Sequence, residues 1–121
     1  MEQELVDAHN EVRARNGLSP LTYDVVASKE AWQHANSLAN SWWGIFGINH
    51  IGFSGRAKRA NFKGAAENVA AGQSNVSSVM RKWISSEGHY KNILGNYKYI
   101  GVGIAKDKRG NLYWCTLFGN R

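Results

Sequence analysis

Apolar residues in this chain recur at three- and four-residue spacing in three separate segments before residue 95, then alternate with glycine from Ile100 to Ile104 ahead of an aromatic and β-branched run. That switch constrains the fold more than any other feature, because the two periods belong to helices and strands respectively. Leu5, Ala8, His9 and Val12 share one face of a segment from Glu2 to Arg15, and Asn16-Gly17 ends it. Asp24 is a good N-cap for a second helix whose stripe is Ala27, Ala31, Ala35, Leu38 and Trp42; its small residues predict close approach to another layer. Asn75 caps a third helix carrying Val76, Val79, Met80 and Trp83, which Gly88 breaks before a further short turn from His89 to Leu94. Glu67 to Ala71 reads as a short strand. Ile100, Val102 and Ile104 then alternate with Gly101 and Gly103, Asp107-Lys108-Arg109-Gly110 makes a turn, and Leu112 to Phe118 returns as the second arm of a hairpin. Helices first and a hairpin last predict an α+β fold with a small antiparallel sheet covered by helices.

Between Trp43 and Ala66 no period survives, and five glycines fall in the stretch, leaving room for at most a short helix around Gly55 to Ala60. Loops of this length in compact domains are usually functional or mobile. At 121 residues and 43% hydrophobic, the chain has the material for one core. No apolar run approaches the length of a bilayer span. The acidic start, Met1 to Glu4, lacks the layout of a secretory signal, which fits either an intracellular protein or a mature segment with an added Met. Cys115 is the only cysteine, so neither an internal disulfide nor a CxxC zinc site can form. A net charge of +6 favours anionic partners.

The chain has no phosphate-binding loop, no HExxH helix and no GxGxxG turn, and Gly52-Phe53-Ser54-Gly55 misses the nucleophile-elbow pattern by one position. What remains is His50 in the glycine-rich loop, Glu67 beside Val69-Ala70-Ala71, and Glu87 and His89 on either side of Gly88. Two neutral imidazoles in one cleft can hold a divalent cation, with carboxylates orienting the rings or taking a proton from bound water. The spacing alone equally fits separate surface residues.

The stretches Ala8-His9-Asn10-Glu11-Val12-Arg13, Ala66-Glu67-Asn68-Val69-Ala70 and Trp83 through Leu94, together with Gly101-Val102-Gly103, Tyr113-Trp114 and Phe118-Gly119, resemble the CAP superfamily. This is the family of cysteine-rich secretory, antigen 5 and pathogenesis-related proteins, built on the SCP domain; the likeness is closest to its short, disulfide-free bacterial branch. The resemblance covers residues 1–121 as a single domain and implies an α-β-α sandwich, a small central antiparallel sheet flanked by helices. It implies a central cleft with two histidines, here His50 and His89, as metal ligands, and two acidic residues. Glu67 takes the first acidic position. The second falls on Ser86 or on the adjacent Glu87, which a helix turns by about 100°. Ala66 stands where the family usually has Gly.

The resemblance further implies a secreted or envelope protein, monomeric, whose cleft binds Zn2+, another divalent cation or a small ligand. The alternative is a metal-dependent hydrolase, protease- or nuclease-like, with Glu67 and Glu87 as its catalytic carboxylates. A third reading makes the cleft purely structural. Trp42-Trp43 and the basic cluster Arg56, Lys58, Arg59 and Lys63 fit contact with a lipid, sterol or anionic envelope surface, while nucleic acid has only the charge in its favour. His9, Cys115, Trp83 and Trp114 are expected to serve the core.

Overall fold

The computed structural model describes all 121 residues. Helix α1 runs Glu2–Arg15, and Asn16 caps its end. A two-residue strand β1, Thr22–Tyr23, precedes α2, Val25–Ala39, whose N-cap Asp24 accepts a hydrogen bond from the Ala27 amide. After a 3-10 turn at Gly44–Gly47 come α3, Phe53–Arg59, and β2, Gly64–Ala71. Helix α4 spans Val76–Ile84 with the Asn75 side chain capping it, α5 spans Glu87–Ile93, and β3 (Tyr99–Lys106) and β4 (Leu112–Asn120) form the hairpin.

The sheet order is β1-β3-β4-β2. β2, β4 and β3 are antiparallel, and only β1 pairs in parallel, at Thr22–Tyr99 and Tyr23–Ile100. The expected sandwich is present, with this parallel edge as an addition. Alternation along β3 and β4 sends Ile100, Val102, Trp114 and Phe118 to one face, where they pack with Leu5, Val12, Val79, Trp83 and Ile93 from α1, α4 and α5. Tyr113, Cys115 and Leu117 take the other face, against Ala27, Ala31 and Ala35 of α2 and Ala57 of α3. Gly101 and Gly103 also face α2. A Cβ on Gly101 would run into the Ala27–Ser28 backbone, and one on Gly103 into the Ala31–Trp32 backbone. Glycines on the strand and alanines on the helix together let the two backbones approach.

Three expectations need correction. α2 stops at Ala39, so Trp42 is not on its stripe and stands 92% exposed. The break after α4 falls at Ser85–Ser86, where Ser86 turns extended, and Gly88 lies inside α5. β2 begins at Gly64 rather than Glu67, because the Gly64–Ala66 backbone pairs with β4 from Asn120 to Phe118. His9, Trp83, Trp114 and Cys115 are fully buried, as core roles require.

Candidate functional site

β2 is the edge strand of the sheet opposite β1, and it contacts both α3 and α5. Successive β2 residues point to opposite faces. Glu67 projects toward the layer that holds α3 and the His50 loop, and Asn68 toward the layer that holds α5. A cleft of about 210 Å3 along this edge is lined by His50, Phe53, Ala65, Ala66, Glu67 and Asn92.

Glu67 is the hub. Its side chain is 1% exposed. Arg56 grips it with a two-pronged ion pair, Nε to Oε2 at 2.7 Å and Nη2 to Oε1 at 2.8 Å. His50 Nδ1 donates to Oε1 at 2.9 Å. A buried carboxylate requires such partners, since desolvation without a cation would cost several kcal/mol, of order ~3 or more. Arg56 also donates to the carbonyls of Ile51 and His50, so one guanidinium fixes both the carboxylate and the loop that carries the imidazole. His34 of α2 adds a third tie, donating from Nε2 to the Asn49 carbonyl at 2.7 Å, with that nitrogen 4.0 Å from Glu67 Oε1.

On the other side, α5 is fastened to β2 through amides. Asn68 donates to the His89 carbonyl at 3.0 Å and accepts from Asn92 Nδ2 at 2.9 Å. His89 Nδ1 lies 2.9 Å from the Ser86 hydroxyl, which can donate or accept. Burial pushes the His89 imidazole below its ordinary pKa, and His50 and Lys82 push it further, so the ring stays neutral near pH 7. His50 and His34 both approach Glu67, and the His89 carbonyl is bonded to Asn68, the next residue of β2, so all three histidines gather along that strand.

The structure thus brings His50, Glu67 and His89 to one edge of the sheet. It leaves Glu87 exposed in the first turn of α5 with no ion pair or side-chain hydrogen bond, while the adjacent Ser86 faces His89. No group of three or more His, Cys, Asp or Glu side chains is arranged to surround a metal. A larger groove of about 650 Å3 between α1 and α4 has no histidine or cysteine in its lining.

Two residues that matter were not legible as site residues. Arg56 reads in the sequence as part of a basic cluster facing an anionic surface, yet it is 5% exposed and bound to Glu67. The available signal was Glu67 itself, because a carboxylate in an apolar strand needs a cation. His34 carried no signal at all.

The sandwich of helices around a four-stranded sheet is the fold shared with solved SCP-domain proteins. The profile of the CAP, cysteine-rich secretory protein family matches residues 6–118, and the chain belongs to that family. It is 33% identical over 109 residues to YkwD of Bacillus subtilis, covering 87% of this chain and 42% of that protein. It is 26% identical over 107 residues to the B. subtilis membrane protein YlbC, covering 85% of this chain and 31% of the other. Among solved structures, an extracellular SCP-domain protein from Bacillus anthracis superposes with a TM-score of 0.82 at 26% identity, over 99% of this chain and 40% of that one. An outer surface protein from Borrelia burgdorferi superposes at 0.79 and 22% identity, over 98% and 91%. The chain therefore spans less than half the length of the two B. subtilis relatives. No helix is long and apolar enough to cross a membrane.

Proposed function

We propose that this domain is a binding module of the extracellular or envelope space whose cleft takes up a divalent cation between His50 and His89. The observation that carries this reading is the way both rings are held. The Glu67 carboxylate can only accept, so the His50 proton sits on Nδ1 and the Nε2 lone pair is left for a ligand. When the Ser86 hydroxyl accepts from His89 Nδ1, the second ring is left in the same state. An imidazole pair suits Zn2+ and its neighbours in the first transition series, with water or a small ligand completing the shell.

Binding is favoured over hydrolysis by the state of Glu67. A carboxylate that is 1% exposed and already receives three hydrogen bonds is poorly placed to take a proton from water. Its role in this reading is to orient His50. Ser86, not Glu87, supplies the corresponding hold on His89.

Titration calorimetry with Zn2+ tests this on the metal-free protein. Wild type should bind one equivalent, and His50→Ala and His89→Ala should each weaken binding at least about tenfold. Glu67→Gln should weaken it less, and Glu87→Gln should leave it unchanged. Equal affinity in the two histidine variants would end the proposal.

A further inference from the structure

Trp42, Trp43, Phe46, Ile48 and Ile51 are five of the eleven large apolar side chains that this protein leaves exposed, and they fall within ten residues. Trp42 and Phe46 are 92% and 90% exposed. Their backbone is nevertheless ordered. The Trp43 amide donates to the Ser41 hydroxyl, the Gly44 amide to the Ser41 carbonyl, and the Phe46 amide to the Trp43 carbonyl. Gly47 closes the turn, since any Cβ there would strike the Trp43 side chain. The fold therefore holds a hydrogen-bonded platform with its aromatic side chains exposed and nothing of its own to cover them.

The charge around the platform is predominantly positive. Between Asn40 and Ala66 there is no acidic residue. The β3–β4 turn sits beside the aromatics, and Lys108 and Arg109 line a shared cavity of about 300 Å3 with Trp42, Trp43 and Phe46. Asp107 is the only acid of that cavity. Both its oxygens are taken, Oδ1 by the Arg109 and Asn111 amides and Oδ2 by the Tyr113 hydroxyl and the Asn111 side chain. Exposed lysine and arginine next to outward Trp and Phe is the composition that seats proteins in the headgroup layer of an anionic bilayer, where amphipathic rings sit at the polar boundary and cations meet lipid phosphate.

We propose that the Trp42–Phe46 turn together with Lys108 and Arg109 docks this domain on an anionic phospholipid surface, with the aromatic rings entering the headgroup layer. This surface is separate from the His50–His89 pair and does not depend on cation binding there.

Flotation with vesicles tests it, comparing pure phosphatidylcholine with an equimolar mixture of phosphatidylcholine and phosphatidylglycerol. Wild type should float with the mixed vesicles, with its tryptophan emission shifted to the blue. It should bind pure phosphatidylcholine at least about tenfold more weakly, and raised salt should release it from the mixed vesicles. Trp42→Ala with Trp43→Ala should lose binding at least about tenfold, with little change in melting temperature because the two residues are 92% and 70% exposed. Lys108→Glu with Arg109→Glu should lose the preference for the mixed vesicles. Three results would overturn the proposal. One is equal flotation of the tryptophan variant, and another is no flotation of wild type with either vesicle. The third is a concentration-dependent dimer of wild type, abolished by the tryptophan substitutions, which would make a second copy the true cover.

Discussion

His9 and His50 differ in what their second ring nitrogen meets. His50 holds Glu67 with Nδ1 and stands half exposed, so its other nitrogen is open to a ligand. His9 donates from Nδ1 to the Leu5 carbonyl at 2.7 Å, lies against Trp83 and Phe118 at 5.7 and 5.6 Å between ring centres, and its Nε2 has no partner. Burial lowers its pKa to about 4, opposed by the bond to Leu5 and assisted by Arg13. The unfolded chain takes up a proton near the ordinary histidine value of 6.5, while the folded protein resists until about 4. Stability from this residue is therefore complete above about 6.5 and is lost as pH falls toward 4, by about 3 kcal/mol. Urea titrations across that window should show the loss in wild type. In His9→Leu the slope over the same window should flatten, whatever the variant's stability at neutral pH. An unchanged slope would mean that the acid sensitivity arises elsewhere.

At the scale of elements, the contact between α2 and β3 rests on absent side chains. Gly103→Ala would press a methyl group into the Ala31–Trp32 backbone, and neither the strand nor the helix can yield without disturbing its own hydrogen bonds. A loss of about 1–3 kcal/mol is expected from the urea midpoint. Gly88→Ala is the matching control: that glycine lies in α5 with open space around its Cβ position, so the same change should stabilise by about 0.5–1 kcal/mol. Two losses of similar size would argue against the packing explanation. The end of α2 follows the same logic of neighbours. The Trp42 position continues the helical spacing, but the chain leaves the helix at Asn40 and the ring passes to solvent.

On the scale of the whole molecule, Arg56 ties the segment between α2 and β2 to the sheet. Its bonds to Glu67, Ile51 and His50 join α3, the loop and the edge strand. Arg56→Ala would strand the Glu67 carboxylate in the interior, at a cost of about 3–5 kcal/mol. Combining Arg56→Met with Glu67→Gln should recover a large part of that loss. Limited proteolysis should cut the single variant between Ser41 and Lys63 faster than wild type. A single variant as stable and as resistant as wild type would remove Arg56 from this role.

The sequence by itself determined the helices, the hairpin and the two faces of the sheet, because periodicity, caps such as Asp24 and Asn75, and turn residues such as Asp107 to Gly110 act over a few neighbouring positions. The resemblance to the CAP family also implied His50, Glu67 and His89 as candidate cleft residues. Only the tertiary structure decided that Arg56 turns inward to Glu67, that Ser86 holds His89, that His34 braces the loop and that Trp42 faces outward. These depend on which distant segments meet across the edge of β2, and a buried charge chooses its partner by proximity in space.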